Sequence, residues 1–322
     1  MRLLILLILV LAAAVAGAWL GGETLLARQA GRMIAADPRV QADAVAPLRE
    51  ADRIGLHLEQ VALDTPQGRV SLPEAEFWAA PTSPTTFHLS LPPDMRVPVM
   101  GRERQLAAED ARLMLRLSPA NGMGPTQAAV VSGAAALDGQ PLLGGLDLRA
   151  QLVPLGAGAP QQARASYRVS VQVQDLTPGA LAGLPSALAL SAQGDLRLYL
   201  TGALTRGTLR GGTPPQLAGI GAEGLTLRLG DLSLRVAGLV EPDAQGRMQG
   251  ALFVHTADPA ALARTVADLG LIPEGAAVLT GTAMTAAANA PLPEGIAPPS
   301  DPAPGESRIP LFFRDGKAFL GP

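Results

Sequence analysis

The chain has 322 residues, of which 48% are hydrophobic, 16% charged and 3% aromatic, and its net charge is -3. The absence of cysteine excludes disulfides, thiolate metal sites and cysteine nucleophiles, and the balanced charge leaves no electrostatic footprint for nucleic acid. Its 36 glycines and 29 prolines stay below a low-complexity load, and so aliphatic a chain is not disordered; the length suits one large β domain or roughly two domains.

Residues 1–22 come first. From Leu3 to Gly22 no charge interrupts a run of Leu, Ile, Val and Ala, which as a helix spans about 30 Å, the thickness of a bilayer core. Trp19 sits where an interfacial aromatic belongs. A cleaved signal peptide would use Leu3–Leu11 and the small-residue site Ala14-Val15-Ala16. The adjoining residues favour an uncleaved anchor: Leu25, Leu26, Met33 and Ile34 share a helical face while Glu23, Arg28 and Arg32 lie off it. Either way the expectation is export of the bulk of the chain, with a juxtamembrane helix and connection over 23–52.

Residues 53–290 read as an antiparallel β domain. Ile54, Leu56 and Leu58 alternate with smaller or polar residues, and a phase slip near Gln60 predicts a bulge before Val61 and Leu63. Phe87, Leu89 and Leu91 alternate, as do Leu113, Leu115 and Leu117. The cleanest strand carries Tyr167, Val169, Val171 and Val173, and Leu196, Leu198 and Leu200 follow the same rule. Leu225, Leu227 and Leu229, then Gly230-Asp231, then Leu232, Leu234 and Val236 predict a two-residue hairpin. The stretches Ser118–Thr126 and Thr205–Gly224 read as surface loops.

One helix is expected near 259–269, with Asp258 as N-cap, Pro259 in the first turn and Gly270 ending it. A second helix over Ala276–Ala290 is suggested but weakened by Gly281 and its threonines. Residues 291–307 hold six prolines and form an extended linker. Residues 308–322 then close the chain as a hairpin turning at Asp315-Gly316, which must pair back onto the main sheet.

Catalytic and cofactor motifs are scarce. Gly219–Gly224 spells the dinucleotide pattern, but a Pro-Pro loop precedes it and a strand follows, so it is read as a turn and no cofactor is expected. The only lysine, Lys317, is followed by Ala318, where a phosphate loop needs Ser or Thr. His57, His88 and His255 lack metal-ligand spacing, and no catalytic or metal residues are assigned. Glu74 and Glu76, and Arg102, Arg104, Arg112 and Arg116, read as exposed strand faces; the arginines would also suit anionic headgroups.

What remains is the aliphatic face itself. Few aromatics argue against sugar or single-stranded nucleic-acid platforms, whereas an apolar sheet face suits acyl chains. Its candidate lipid-facing residues are Tyr167, Val169, Val171, Val173, Leu196, Leu198, Leu200, Leu225, Leu227, Leu229, Leu232, Leu234 and Val236. The same face equally suits core packing beneath the late helices.

The ending Arg308-Ile309-Pro310-Leu311-Phe312-Phe313-Arg314-Asp315-Gly316-Lys317-Ala318-Phe319-Leu320-Gly321-Pro322 resembles the terminal element of an alphaproteobacterial envelope family, domain of unknown function 2125. The N-terminal apolar segment, the stretch Ala62–Pro73, the Gly-x-Leu hairpins and Asp268-Leu269-Gly270-Leu271 extend the likeness. The resemblance implies an inner-membrane-anchored periplasmic β protein, loosely similar to AsmA- and TamB-like proteins, and brings no catalytic residues.

The fold expected is therefore mainly β: an N-terminal membrane helix, then a large curved antiparallel sheet of hairpins with one or two late helices packed on it or capping it. The function expected is a non-enzymatic envelope protein at the inner membrane that binds or shields lipid or another amphiphile. The alternative is a structural or assembly factor meeting a partner envelope protein through its sheet edge or proline-rich segment.

Overall fold

A computed structural model describes residues 24–321 except 26, 33, 51, 178, 180, 181–188, 210–212, 295 and 297. The expected membrane segment, 1–22, lies outside the described residues; among those described, no helix is long and apolar enough to cross a membrane. The chain is mainly β with a few late helices, and its strands pair antiparallel. It forms two compact units, one comprising residues up to Arg116 together with Ala136–Gly139, the other Leu117–Ala135 and Gln140 onward. The stretch 53–290, read as one β domain, is thus divided between them.

In the first unit residues 24–25, 27–32 and 34–36 are helical. The strands are β1 (Val40–Gln41), β2 (Ala44–Pro47), β3 (Ile54–Thr65), β4 (Gly68–Ala80), β5 (Ser83–Ser90), β6 (Asp94–Val99), β7 (Arg102–Ala108) and β8 (Arg112–Ser118), whose last two residues pass into the second unit. β1 and β2, within the stretch read as connection, both line β3; they are too short to show an alternation, and prolines bound them. β3 and β4 form a long hairpin. The expected bulge at Gln60 is not an insertion. Glu59 pairs with Glu74 and Val61 with Leu72, a single residue lying between them on each strand, while Gln60 takes a φ of 49°. It stands opposite Pro73, which has no N–H to give the ladder.

The second unit begins with β9 (Gly124–Ser132). Between its strands the chain revisits the first unit: β10 (Ala135–Leu137) pairs with β7. There follow β11 (Gln140–Leu143), β12 (Gly145–Val153), β13 (Ala165–Leu176), β14 (Leu190–Leu200), β15 (Leu217–Leu229), β16 (Leu232–Pro242), β17 (Met248–Thr256), β18 (Ser307–Arg314) and β19 (Lys317–Leu320). β9 pairs with β12, and from β12 to β19 each strand pairs with the next. The β15–β16 hairpin closes with Leu229 opposite Leu232, Gly230 taking a φ of 57°. The last hairpin sets Arg314 opposite Lys317, with Asp315 and Gly316 both at positive φ as a type I′ turn requires.

Two loop readings become strand. Residues 124–126 begin β9, and the glycine-rich Gly219–Gly224 lies inside β15 rather than in a turn. Gly224, at a φ of 83°, falls where the register with β16 shifts between Glu223 and Leu225. The glycine permits a bulge in a continuous strand, which a sequence pattern does not distinguish from a turn.

The late helices are α1 (Pro259–Asp268) and α2 (Ala277–Asn289). The Asp258 carboxylate accepts a hydrogen bond from the Ala261 N–H at 2.8 Å, capping α1, and Gly270 follows it at a φ of 71°. In α2 the residues that weakened the reading find their purpose. A Cβ on Gly281 would lie 3.3 Å from Ala260 Cα and 3.5 Å from Ala263 Cβ, so glycine lets the two helices meet closely. The hydroxyls of Thr282 and Thr285 donate back to the carbonyls of Val278 and Gly281.

Candidate functional site

The thirteen candidate lipid-facing residues fall on one face of the second unit's sheet. Tyr167 is opposite Leu198 and Val169 opposite Leu196; Ala192 carries the row from β14 to Leu227; Leu225, Leu227 and Leu229 face Val236, Leu234 and Leu232. Alternation along strands plus antiparallel register makes this outcome obligatory. The face is not uniform. Leu229, Leu234 and Ile309 form a core cluster with Leu262 and Ala263 of α1 and Met284 of α2, and Leu227, Leu232 and Val254 pack against it. Leu229 and Leu234 are thus buried under the helices, while Leu227 and Leu232 are half-buried against them.

Towards β13 the same face changes character. Tyr167 is buried, and its hydroxyl donates to the Pro125 carbonyl at 3.2 Å and accepts from the Leu204 N–H at 3.3 Å. Burial pushes that phenol's pKa up. Val169, Val171, Val173, Leu196, Leu198, Leu200, Leu225 and Val236 are half-buried.

The opposite face of β14–β18 holds what the sequence reading missed. There Gly221 pairs with Leu239, Leu239 with Ala251, and Ala251 with Phe312, while Ala237 pairs with Phe253. Phe253 and Phe312 are each only 2% exposed. With Tyr199 they line a cavity of about 1250 Å³, bordered by Gly158 on one side and by Ile296 and Pro299 of the proline-rich segment on the other. The floor is apolar because β16–β18 carry apolar residues at both parities, the mark of strands covered on two sides.

The proline-rich segment forms that wall because it is pinned to the sheet. Arg235 of β16 donates to Ser300 Oγ at 2.8 Å, to the Asp301 carbonyl at 3.1 Å and to Glu306 Oε2 at 2.9 Å. Glu306 also accepts from the Ala303 N–H at 2.9 Å. That amide, and then Arg235, hold the Glu306 carboxyl below its usual pKa. Beneath lies His255 of β17, fully buried, both ring nitrogens without a hydrogen bond and Nδ1 3.9 Å from Glu306. Burial lowers its pKa, and Arg235 pushes the same way. A linker by composition is thus a strap by contact.

The cavity's rim is charged. Glu223 pairs with Arg197 at 2.7 Å and Arg168 at 3.7 Å. Asp243 and Asp315 share Arg247, at 2.8 and 2.9 Å. Glu241 accepts from the Gln249 side-chain amide at 3.5 Å and, among the described residues, forms no ion pair. Arg314 lies with its guanidinium carbon 5.7 Å from the centre of the Phe312 ring and likewise forms no ion pair among the described residues.

The remaining sequence candidates lie in the first unit. His57 Nε2 is 4.0 Å from Glu74, Glu76 meets Arg53 at 3.4 Å, and His88 stacks on Trp78 with ring centres 4.1 Å apart. Arg104 pairs with Asp138. Among the described residues no group of three His, Cys, Asp or Glu is placed to hold a metal ion.

A family model described as "uncharacterized protein conserved in bacteria (DUF2125)" matches residues 52–322. No curated protein and no solved structure matches the chain.

Proposed function

We propose, from the premise that the chain belongs to this uncharacterised bacterial family (DUF2125), that it is a non-enzymatic β scaffold that binds or shields an amphiphile at a membrane. The carrying observation is the cavity of about 1250 Å³ on the second unit's sheet, floored by Leu239, Ala251, Phe253 and Phe312. Apolar floor with a polar rim is the form an amphiphile needs, since acyl recognition rests on buried area more than on geometry. The half-buried stripe from Val169 to Leu200 on the other face offers further apolar surface for the same purpose. In this reading residues 1–22 tether the protein to the inner membrane, the two units lie in the periplasm, and the likeness to AsmA- and TamB-like proteins is one of envelope role.

The test places the full chain in phospholipid vesicles doped with a lipid carrying a photoreactive acyl chain. Adducts on β16–β18 are expected; adducts confined to residues 1–22 would sink the reading.

A second reading is favoured by β19. It pairs with β18 alone among the described pairings, and Phe319 and Leu320 are exposed. A strand edge with apolar side chains is a template for a partner strand. Crosslinking through a photoreactive residue at Phe319 in intact envelopes should then capture one reproducible partner.

A further inference from the structure

The rim of the cavity restricts the headgroup, granted the amphiphile reading. Most of its charges are engaged in ion pairs: Glu223 with Arg197 and Arg168, and Asp243 and Asp315 with the Arg247 they share. Among the described residues of the rim, Glu241 and Arg314 form no ion pair, and they are of opposite sign. Glu241 is opposite Gln249 on the neighbouring strand, and the register of β17 with β18 carries that row to Arg314. The two therefore stand two strand spacings apart, about 10 Å, across one end of the apolar floor.

Each is held in place. The Gln249 amide donates to Glu241 at 3.5 Å, and the Phe312 ring lies beneath the Arg314 guanidinium. Lys317, opposite Arg314 on β19, adds a second cation at the same end. One end of the row thus presents an acceptor-only carboxylate, the other a planar donor fork suited to phosphate oxygens.

We infer that this groove takes a zwitterionic amphiphile bearing a primary ammonium and a phosphate, the ammonium donating to Glu241 and the phosphate accepting from Arg314, with its acyl part along the half-buried Leu239 and Ala251, above the buried Phe253 and Phe312. A purely anionic headgroup leaves Glu241 unpaired beside it, and a trimethylated ammonium has no N–H to donate to the carboxylate.

The experiment uses the full chain in vesicles containing photoreactive-acyl phospholipids with ethanolamine, choline or glycerol headgroups, and reads adducts on β16–β18. The ethanolamine lipid should label about threefold to tenfold more than either of the others. Glu241→Gln and Arg314→Gln should each remove that preference. The exchange Glu241→Arg with Arg314→Glu should retain it, because a zwitterion can bind reversed; this arm separates lost recognition from lost folding. Equal labelling by all three lipids overturns the headgroup inference while leaving the amphiphile reading standing. Preference for the glycerol lipid, or single variants that keep the ethanolamine preference, also overturns it. No labelling of β16–β18 by any lipid, or a protein crosslinked there instead, defeats the amphiphile reading itself.

Discussion

Strands β15–β18 are covered on both faces, but by unlike materials. On one face lie α1 and α2, which bring Ala263 to 0% exposure and close over Leu229, Leu234 and Ile309. On the other lies an extended proline-rich strap, fixed by Arg235 to Ser300, Asp301 and Glu306. Helices satisfy their own backbone, so they can press small side chains together over a wide area. An extended proline-rich chain has no internal hydrogen bonds and needs the sheet's side chains to hold it. It covers a strip and leaves a cavity beside it. The close-packed face stabilises the sheet, and the face covered by the strap keeps open space above its apolar floor.

The largest expected effect tests that contrast directly. Leu234→Arg places a charge beneath the helices and should cost about 3–5 kcal/mol. Val171→Arg, on the half-buried part of the same face, should cost less than about 1 kcal/mol, since the long side chain can reach water. Hydrogen exchange of β13 and β16 would read both; equal losses would mean that the whole face is interior. Next, Gly281→Leu should cost about 1–3 kcal/mol by forcing α1 and α2 apart. Gly281→Ala should be milder, because a gain of about 1 kcal/mol in helix propensity works against the tight contact. Denaturant midpoints of the two variants give the comparison.

The smallest effect concerns the strap. The pKa of His255 is lowered in the folded chain, so the neutral ring is equally at home in folded and unfolded states above the ordinary value of 6.5. As pH falls below it, the unfolded state takes the proton first and stability is lost progressively down to the lowered folded value. Glu306 acts in the same direction further down, its contribution present above 4.5 and lost as pH falls through its depressed value. Intrinsic-rate-corrected exchange of β17 and residues 298–306 should therefore rise between about pH 7 and pH 5. His255→Gln should flatten that rise, leaving only the loss at lower pH. A wild-type profile flat down to about pH 5 would exclude His255 as the cause.

Much of the second unit was legible in its residues. The alternation through Tyr167–Val173, the Gly230-Asp231 turn and the Asp258-Pro259 helix start all correspond to structure, because local geometry dictates each. Legibility failed where a residue's job depends on something distant. Gly281 looked like a helix breaker, since its reason is Ala260 on another helix. The Gly219–Gly224 run looked like a turn, since a bulge shows only in the partner's register. Phe253 and Phe312 advertised no face, because strands covered on both sides lose their alternation. The strap was read as a spacer, since composition reports stiffness and not the arginine that pins it.

The return of β10 to the first unit constrains how the chain can be divided. Residues 136–139 belong to that unit although chain of the second precedes and follows them. Asp138 accepts from the Gln105 N–H at 2.8 Å and pairs with Arg104, and β10 supplies a neighbour for β7. A fragment cut at residue 116 is therefore not an autonomous piece: it lacks a strand, a carboxylate and the cover on one edge. During synthesis, too, the first unit is complete only after residue 139 has emerged, by which time β9 of its successor is already outside the ribosome.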